Sequence, residues 1–189
     1  MSNALSALPS ASFDGIATVT EAGLVGMITI RGDFSSKTFV SAVETVTGCT
    51  LPETRLICAG TGGRMVAWMS PDELLLVTDH PSASSDATAL EAAFAGEHAL
   101  AVNVSDARSV FTVSGPGARE VIAKIAPVEM AASDFGSGDF RRTRFAQVPA
   151  AFWMHDVDSF TIVCFRSVAQ YMFDLLSVSA HEGSEVGVF

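Results

Sequence analysis

Ala107-Arg108-Ser109-Val110-Phe111-Thr112-Val113-Ser114-Gly115-Pro116-Gly117-Ala118 is the stretch on which the reading of the fold turns. Residues 107–113 are rich in β-branched and aromatic side chains and read as a strand. Ser114-Gly115-Pro116-Gly117 ends it with turn residues. Pro116 suits the first helical position, where its fixed φ is preorganised and its missing N–H is not needed. Ala118, Val121, Ile122 and Ile125 then recur on one helical face, and Pro127 stops the run. Downstream, Arg142–Trp153 is a long β-like stretch expected to break near Pro149. His155-Asp156-Val157-Asp158 reads as a turn and Ser159–Phe165 as a strand. Ser167 is placed to cap a last helix with Val168, Tyr171, Met172 and Leu175 on its buried stripe.

The same order occurs upstream. Leu24–Ile30 is β-rich and runs into Arg31-Gly32-Asp33. A helical stripe of Phe39, Val40, Val43 and Val46 follows and ends at Gly48. After a loop with Pro52, Gly60, Gly62 and Gly63, Met65–Met69 and Leu74–Thr78 read as strands joined by Ser70-Pro71-Asp72-Glu73. Ala87, Leu90, Ala93 and Phe94 give a second helix, stopped at Gly96. Gly32 finds its counterpart in Gly115, and Trp68-Met69 in Trp153-Met154. The fold class read from this is α+β, built of duplicated β-α-β-β-α units with a strand near residues 99–104 bridging them. Sheets of such units need helices over their apolar faces. The organisation expected is a flexible N-terminal tail over 1–22, an α+β domain over 23–178 and a C-terminal tail over 179–189. The pseudo-repeats are set at about 23–97 and 98–178.

Composition narrows the function classes. Apolar residues make up 49% of the 189 and charged residues only 17%, which excludes disorder. Mean hydropathy is +0.38, yet no apolar run approaches the roughly 18 residues of a membrane helix. The surplus apolar surface is expected in a core or against another protein. The net charge is −10, the reverse of a nucleic-acid footprint, and between Arg64 and Arg108 there are acids but no Lys or Arg. Neither nucleic acid nor anionic membrane is an expected partner. The N-terminus lacks the basic start of a secretory signal, and a cytoplasmic location follows as an expectation.

The motifs that could carry chemistry are sparse. Ser114–Gly117 meets a helix start, where amides can hold an anion, but no lysine follows as a phosphate loop requires. His80, His98, His155 and His181 form no metal-type spacing, and Cys49, Cys58 and Cys164 form no C-x-x-C pair. Asp156 and Asp158 are turn formers or, alternatively, paired carboxylates. Arg141-Arg142-Thr143-Arg144 is a basic cluster in an acidic chain. On a strand Arg142 and Arg144 point one way and Arg141 the other. Arg141, Arg142 and Arg144 are therefore either a docking patch for an acidic partner or ion pairs within the chain. No catalytic, cofactor-binding or metal-binding residue is assigned.

Three segments resemble the gamma subunits of bacterial heterotetrameric sarcosine oxidase. They are residues 141–148 with Ala150-Ala151-Phe152-Trp153, Phe165-Arg166-Ser167-Val168-Ala169-Gln170-Tyr171, and Val104-Ser105-Asp106-Ala107-Arg108 running into Ser114-Gly115-Pro116-Gly117-Ala118. Gly26–Asp33 and Trp68–Val77 fit as well. The likeness covers roughly Leu24 to Leu176. The wider group is the aminomethyltransferase-like folate-binding fold, whose duplicated architecture agrees with the repeat. The resemblance implies a noncatalytic chain in a complex that demethylates sarcosine to glycine, with peroxide and methylene-tetrahydrofolate as products. It implies alpha, beta and delta partner subunits, with alpha the direct contact. FAD, FMN, NAD, tetrahydrofolate and zinc would lie on those partners and none on this chain. The catalytic aspartate of the wider group is not carried over to Asp156 or Asp158, because the pattern around it is missing. The alternatives are a free-standing folate-binding protein, whose K-G-C-Y-x-G-Q-E signature is absent around Cys49 and Cys58, and a lone enzyme using Asp156 or Asp158 as base.

Overall fold

The computed structural model describes residues 4–188. In chain order the strands and helices are β1 (Ser12–Asp14), β2 (Thr18–Glu21), β3 (Val25–Arg31), α1 (Lys37–Thr47), β4 (Ile57–Ala59), β5 (Met65–Ser70) and β6 (Glu73–Asp79). There follow α2 (Ala83–Ala93), β7 (Leu100–Asn103), β8 (Arg108–Ser114), α3 (Ala118–Ala123), β9 (Phe140–Phe145), β10 (Val148–Asp156), β11 (Ser159–Phe165) and α4 (Ala169–Ser179). They divide into two compact units. One is continuous, residues 25–105; the other is split, residues up to 24 together with those from 106 onward.

The continuous unit is a five-stranded antiparallel sheet in the order β4-β5-β6-β3-β7. Ile28, Ile30, Val66, Leu74 and Leu76 alternate onto one face, and α1 and α2 cover it with Phe39, Val43, Ala87 and Leu90. Phe39 stacks on Phe34 and Phe94 with ring centroids 5.7 and 5.1 Å away. Helix α1 begins where Ser36 accepts the Phe39 N–H and ends where Gly48 takes a left-handed φ of 68°, a conformation that favours glycine.

The split unit is a six-stranded antiparallel sheet in the order β1-β2-β8-β11-β10-β9. Phe111, Val113, Phe152, Phe160 and Ile162 face a core closed by Val121 and Ile122 of α3 and Met172 and Leu176 of α4. Phe135 stacks on Phe152 at 4.9 Å, and Phe145 meets Phe152 edge-on at 5.4 Å.

Both units thus run β-α-β-β-β-α, and β3, β4, β5 and β6 occupy the places of β8, β9, β10 and β11. The fold class is α+β with duplicated units, each holding one strand more than the expected β-α-β-β-α. β4 is only three residues long, too short for an alternation signal. The stretch 142–153 divides at Ala146-Gln147 rather than near Pro149; Phe145 and Val148 close the hairpin and Ala146 has a φ of 49°. Pro149 is tolerated because it pairs only with Arg144 on β9, while pairing with β11 begins at Ala150; its missing N–H breaks no ladder. The strand near 99–104 does not bridge the halves but pairs with β3, so the units meet the chain at 24/25 and 105/106 rather than at 97/98.

The registers correct one echo and keep the other. Arg31 pairs with Glu73 and Ser114 with Ser159, which equates Gly32 with Gly115. Both hairpins carry a register shift, between Trp68 and Ser70 and between Met154 and Asp156. Trp68 pairs with Leu74 and Met154 with Phe160, equivalent positions of β6 and β11, so Trp68 corresponds to Met154, not Trp153. A one-residue offset changes the face of the sheet, and Met154 joins the helix-covered core. Two helix starts also differ: the first helical residue of α3 is Ala118, not Pro116. Gly117 is its cap, and Ser167 lies in a 3-10 turn ahead of α4 without capping it.

The expected tails are largely built in. β2 pairs with β8 from Thr18 to Glu21, in the place that β7 takes beside β3. The amide of Ile16 donates to Ala180 at 2.8 Å, and Gly15 lies so close to that carbonyl that a side chain would collide. At the other end Ala180 is buried. The Glu120 carboxylate accepts the N–H of Val186 and, at 3.1 Å, that of Gly187. Residues 1–3 and 189 of those tails lie outside the described residues.

Candidate functional site

The basic cluster lies on β9, an edge strand of the six-stranded sheet. Arg141 shares a face with its partner Phe152. It stays close to home: its guanidinium donates to Asp139 at 3.3 Å and to the Phe140 carbonyl at 2.9 Å, and lies 5.2 Å from the Phe135 ring. Arg142 and Arg144 are exposed on the opposite face, and Arg144 donates to Gln147 at 2.6 Å. The structure thus separates Arg141 from the other two. Edge position and paired guanidinium groups suit an extended acidic segment.

Asp156 and Asp158 lie at the β10–β11 turn. Asp156 accepts the N–H of Val157 at 2.7 Å. Asp158 has a left-handed φ of 53°, and its carboxylate lies 3.8 Å from Arg119. Both carboxylates therefore have partners within the turn or next to it. The neighbouring Ser114–Gly117 corner is equally occupied. Gly115 donates to the Asp158 carbonyl at 2.9 Å and Gly117 to the Ile16 carbonyl at 3.2 Å. An amide already given to the chain's own carbonyl is not offered to an anion.

Arg119 is the polar residue that pattern reading passed over. It sits on α3 among buried neighbours, its side chain 12% exposed. It donates to the carbonyl oxygens of Met130 and Phe135 at 2.8 and 2.9 Å, fastening the long connection from α3 to β9. Nothing in helical periodicity marks such a residue, because its partners are backbone groups distant in sequence.

Elsewhere the polar groups are scattered. In the continuous unit an open cleft of about 710 Å³ lies beside Arg31, Asp72, His98 and Leu100. Its charge is matched internally, Arg31 reaching Asp72 at 3.2 Å and Glu73 at 3.7 Å. Among the described residues no three His, Cys, Asp or Glu side chains gather as metal ligands. No helix there is long and apolar enough to cross a membrane.

Comparison with known proteins supplies what the geometry leaves open. The model of the sarcosine oxidase gamma subunit family matches residues 31–182. The chain belongs to the sarcosine oxidase gamma subunit family. It is 28% identical over 181 residues to the sarcosine oxidase subunit gamma of Corynebacterium sp. (strain P-1), covering 93% of this chain and 88% of that one. It is 33% identical over 114 residues to the subunit gamma of an Arthrobacter species, covering 60% and 55%. Among solved structures it matches a chain of the heterotetrameric sarcosine oxidase from Corynebacterium sp. U-96 with a TM-score of 0.82 and 25% identity, over 94% of this chain and 91% of that one. The glycine cleavage system aminomethyltransferase T of Bartonella henselae shares the fold, with a TM-score of 0.59 and 14% identity over 84% of this chain and 45% of that one. The family match spans the continuous unit from the end of β3 and the split unit through α4. It therefore includes β9, the turn carboxylates and Arg119.

Proposed function

We propose that this gamma-family chain is a noncatalytic, structural subunit of a heterotetrameric sarcosine oxidase. The complex demethylates sarcosine oxidatively to glycine, producing peroxide and methylene-tetrahydrofolate. FAD, FMN, NAD, tetrahydrofolate and zinc lie on the alpha, beta and delta subunits. The observation that carries this reading is the agreement over nearly the full length of both chains with one chain of such a complex. The state of the polar groups supports a structural role: Asp156 and Asp158 have partners in or beside their turn, and the amides of Gly115, Gly117 and Ala118 ahead of α3 meet the chain's own backbone. The cytoplasm is the compartment that fits.

The alpha subunit is the proposed direct contact, and the exposed Arg142 and Arg144 on β9 are the proposed docking patch. Arg141 takes a lesser part because it is engaged with Asp139. Co-expression with the alpha, beta and delta chains is expected to give one complex active on sarcosine, whereas the chain alone is colourless and inactive. A yellow or active isolated chain would count against the reading, and so would failure to co-purify. A free-standing folate binder would instead reveal itself by micromolar heat of binding to a folate in calorimetry.

A further inference from the structure

The three cysteines stand in different surroundings. Cys164 is buried in the core of the split unit, and burial pushes its thiol up to about 12. Such a thiol carries almost no thiolate at neutral pH. Cys49 and Cys58 belong to one core, that of the continuous unit. Cys49 follows the glycine that closes α1 and is buried. Its thiol donates to the carbonyl oxygen of Cys58 at 3.0 Å. Val66 lies directly across β4–β5 from Cys58; burial raises the Cys49 thiol above its ordinary range, so Cys49 is the partner that resolves and not the one that reacts first. The Cys49 sulfur lies against the Cys58 backbone, and Cys49 and Val66 share the helix-covered core. Val66 is a core residue of the helix-covered face, and cross-strand partners project to the same face. The Cys58 side chain thus points to the side on which the Cys49 sulfur lies. Cys58 is only partly buried, which makes it the thiol that solvent reaches.

We propose that Cys49 and Cys58 form a dithiol that hydroperoxides oxidise to an intramolecular disulfide across the α1–β4 connection. The Cys58 thiolate attacks the outer oxygen of the hydroperoxide. The O–O bond breaks, water or an alcohol leaves with a proton, and Cys58 becomes a sulfenic acid. The Cys49 sulfur, losing its proton, then attacks the Cys58 sulfur; the S–O bond breaks and water leaves. One hydroperoxide is reduced by two electrons drawn from two thiols. The bond would tie the end of α1 to β4, an edge strand whose three residues pair with β5. A peroxide-producing complex would place the oxidant nearby, but the pairing rests on the geometry of this chain alone.

The test uses the reduced full-length chain, treated with hydrogen peroxide and mapped by peptide mass spectrometry without reduction. The expected result is a Cys49–Cys58 link with a loss of about 2 Da, the two thiol hydrogens. Titration of the denatured product should find one free thiol, Cys164. Cys49→Ser is expected to stop at a sulfenic acid on Cys58, captured by dimedone. Three persisting thiols in the wild-type chain, a link that includes Cys164, or oxidation of Cys58 to sulfinic acid without any link would each overturn the proposal.

Discussion

The continuous and split units share a strand order, but each fastens a different connecting segment to a helix, and by opposite means. In the continuous unit the arginine is on the loop: Arg64, at the end of the β4–β5 hairpin loop, reaches into α2 and makes two bonds of 2.8 and 2.6 Å to Asp86. Thr78 donates to the same carboxylate at 3.2 Å, and the Asp86 bond holds the Arg64 pKa above its ordinary value. In the split unit the arginine is on the helix, and Arg119 reaches out to carbonyl oxygens of the connection. The first is a charge pair, the second a charge bound to backbone dipoles. Strand pairing sets the common topology; each fastening is a local solution, and the two units place theirs at different points, one at the β4–β5 loop and one between α3 and β9.

The sharpest way to break the comparison is at the aromatic centre, where the units should behave alike. Phe152→Ala in the split unit and Phe39→Ala in the continuous unit are each expected to cost about 4 kcal/mol, read by chemical denaturation. A cost confined to one variant would mean that the two cores are not equivalent. Arg119→Met comes next, at about 3 kcal/mol, since two buried carbonyls lose a charged donor. Hydrogen exchange should place the loosening in residues 124–139.

Asp86→Asn is expected to cost about 2 kcal/mol, less than the loss at Arg119, because Arg64 is about a quarter exposed and regains solvent. If it cost more than Arg119→Met, the charge pair would be the stronger fastening. Replacing Arg142 and Arg144 with Glu is expected to leave the stability of the isolated chain within about 0.5 kcal/mol. It should weaken recovery of the partner subunits in co-purification.

The smallest effect is local. Glu120 is held below the ordinary glutamate range by the N–H groups of Val186 and Gly187, with Lys124 adding to them. A depressed carboxylate stabilises the folded state above its unfolded pKa, and that contribution disappears as pH falls through the folded pKa. Docking of residues 186–187 is therefore complete at neutral pH and weakens in acid below the ordinary glutamate range. Amide exchange at those residues reports it, and Glu120→Gln should remove the pH dependence while leaving both cores folded.

Much of this was legible in the chain. The stripes Phe39–Val43 and Val121–Ile122 reach the cores because helical periodicity is a local property, and Gly48 ends α1 as read. The Gly32–Gly115 echo survives because both glycines follow strands of equal register. The Trp68–Trp153 echo fails because the segment between Gly115 and the β10–β11 hairpin is longer than its counterpart after Gly32, and the irregular loops and short β4 leave no pattern from which to count the difference. The basic cluster and the opposite facing of Arg141 and the other two were visible from strand alternation; that Arg141 is engaged by Asp139 and Phe135 was not.

The order of residues alone determined that the chain is apolar enough to form cores, acidic, and made of two similar halves. Local spacing and turn chemistry suffice for that. Only the tertiary structure decided that residues 18–21 complete the second sheet, that Arg119 holds a distant connection, and that Cys49 meets Cys58. Each of these joins groups far apart along the chain, and no nearest-neighbour pattern records which backbone partner a side chain will find.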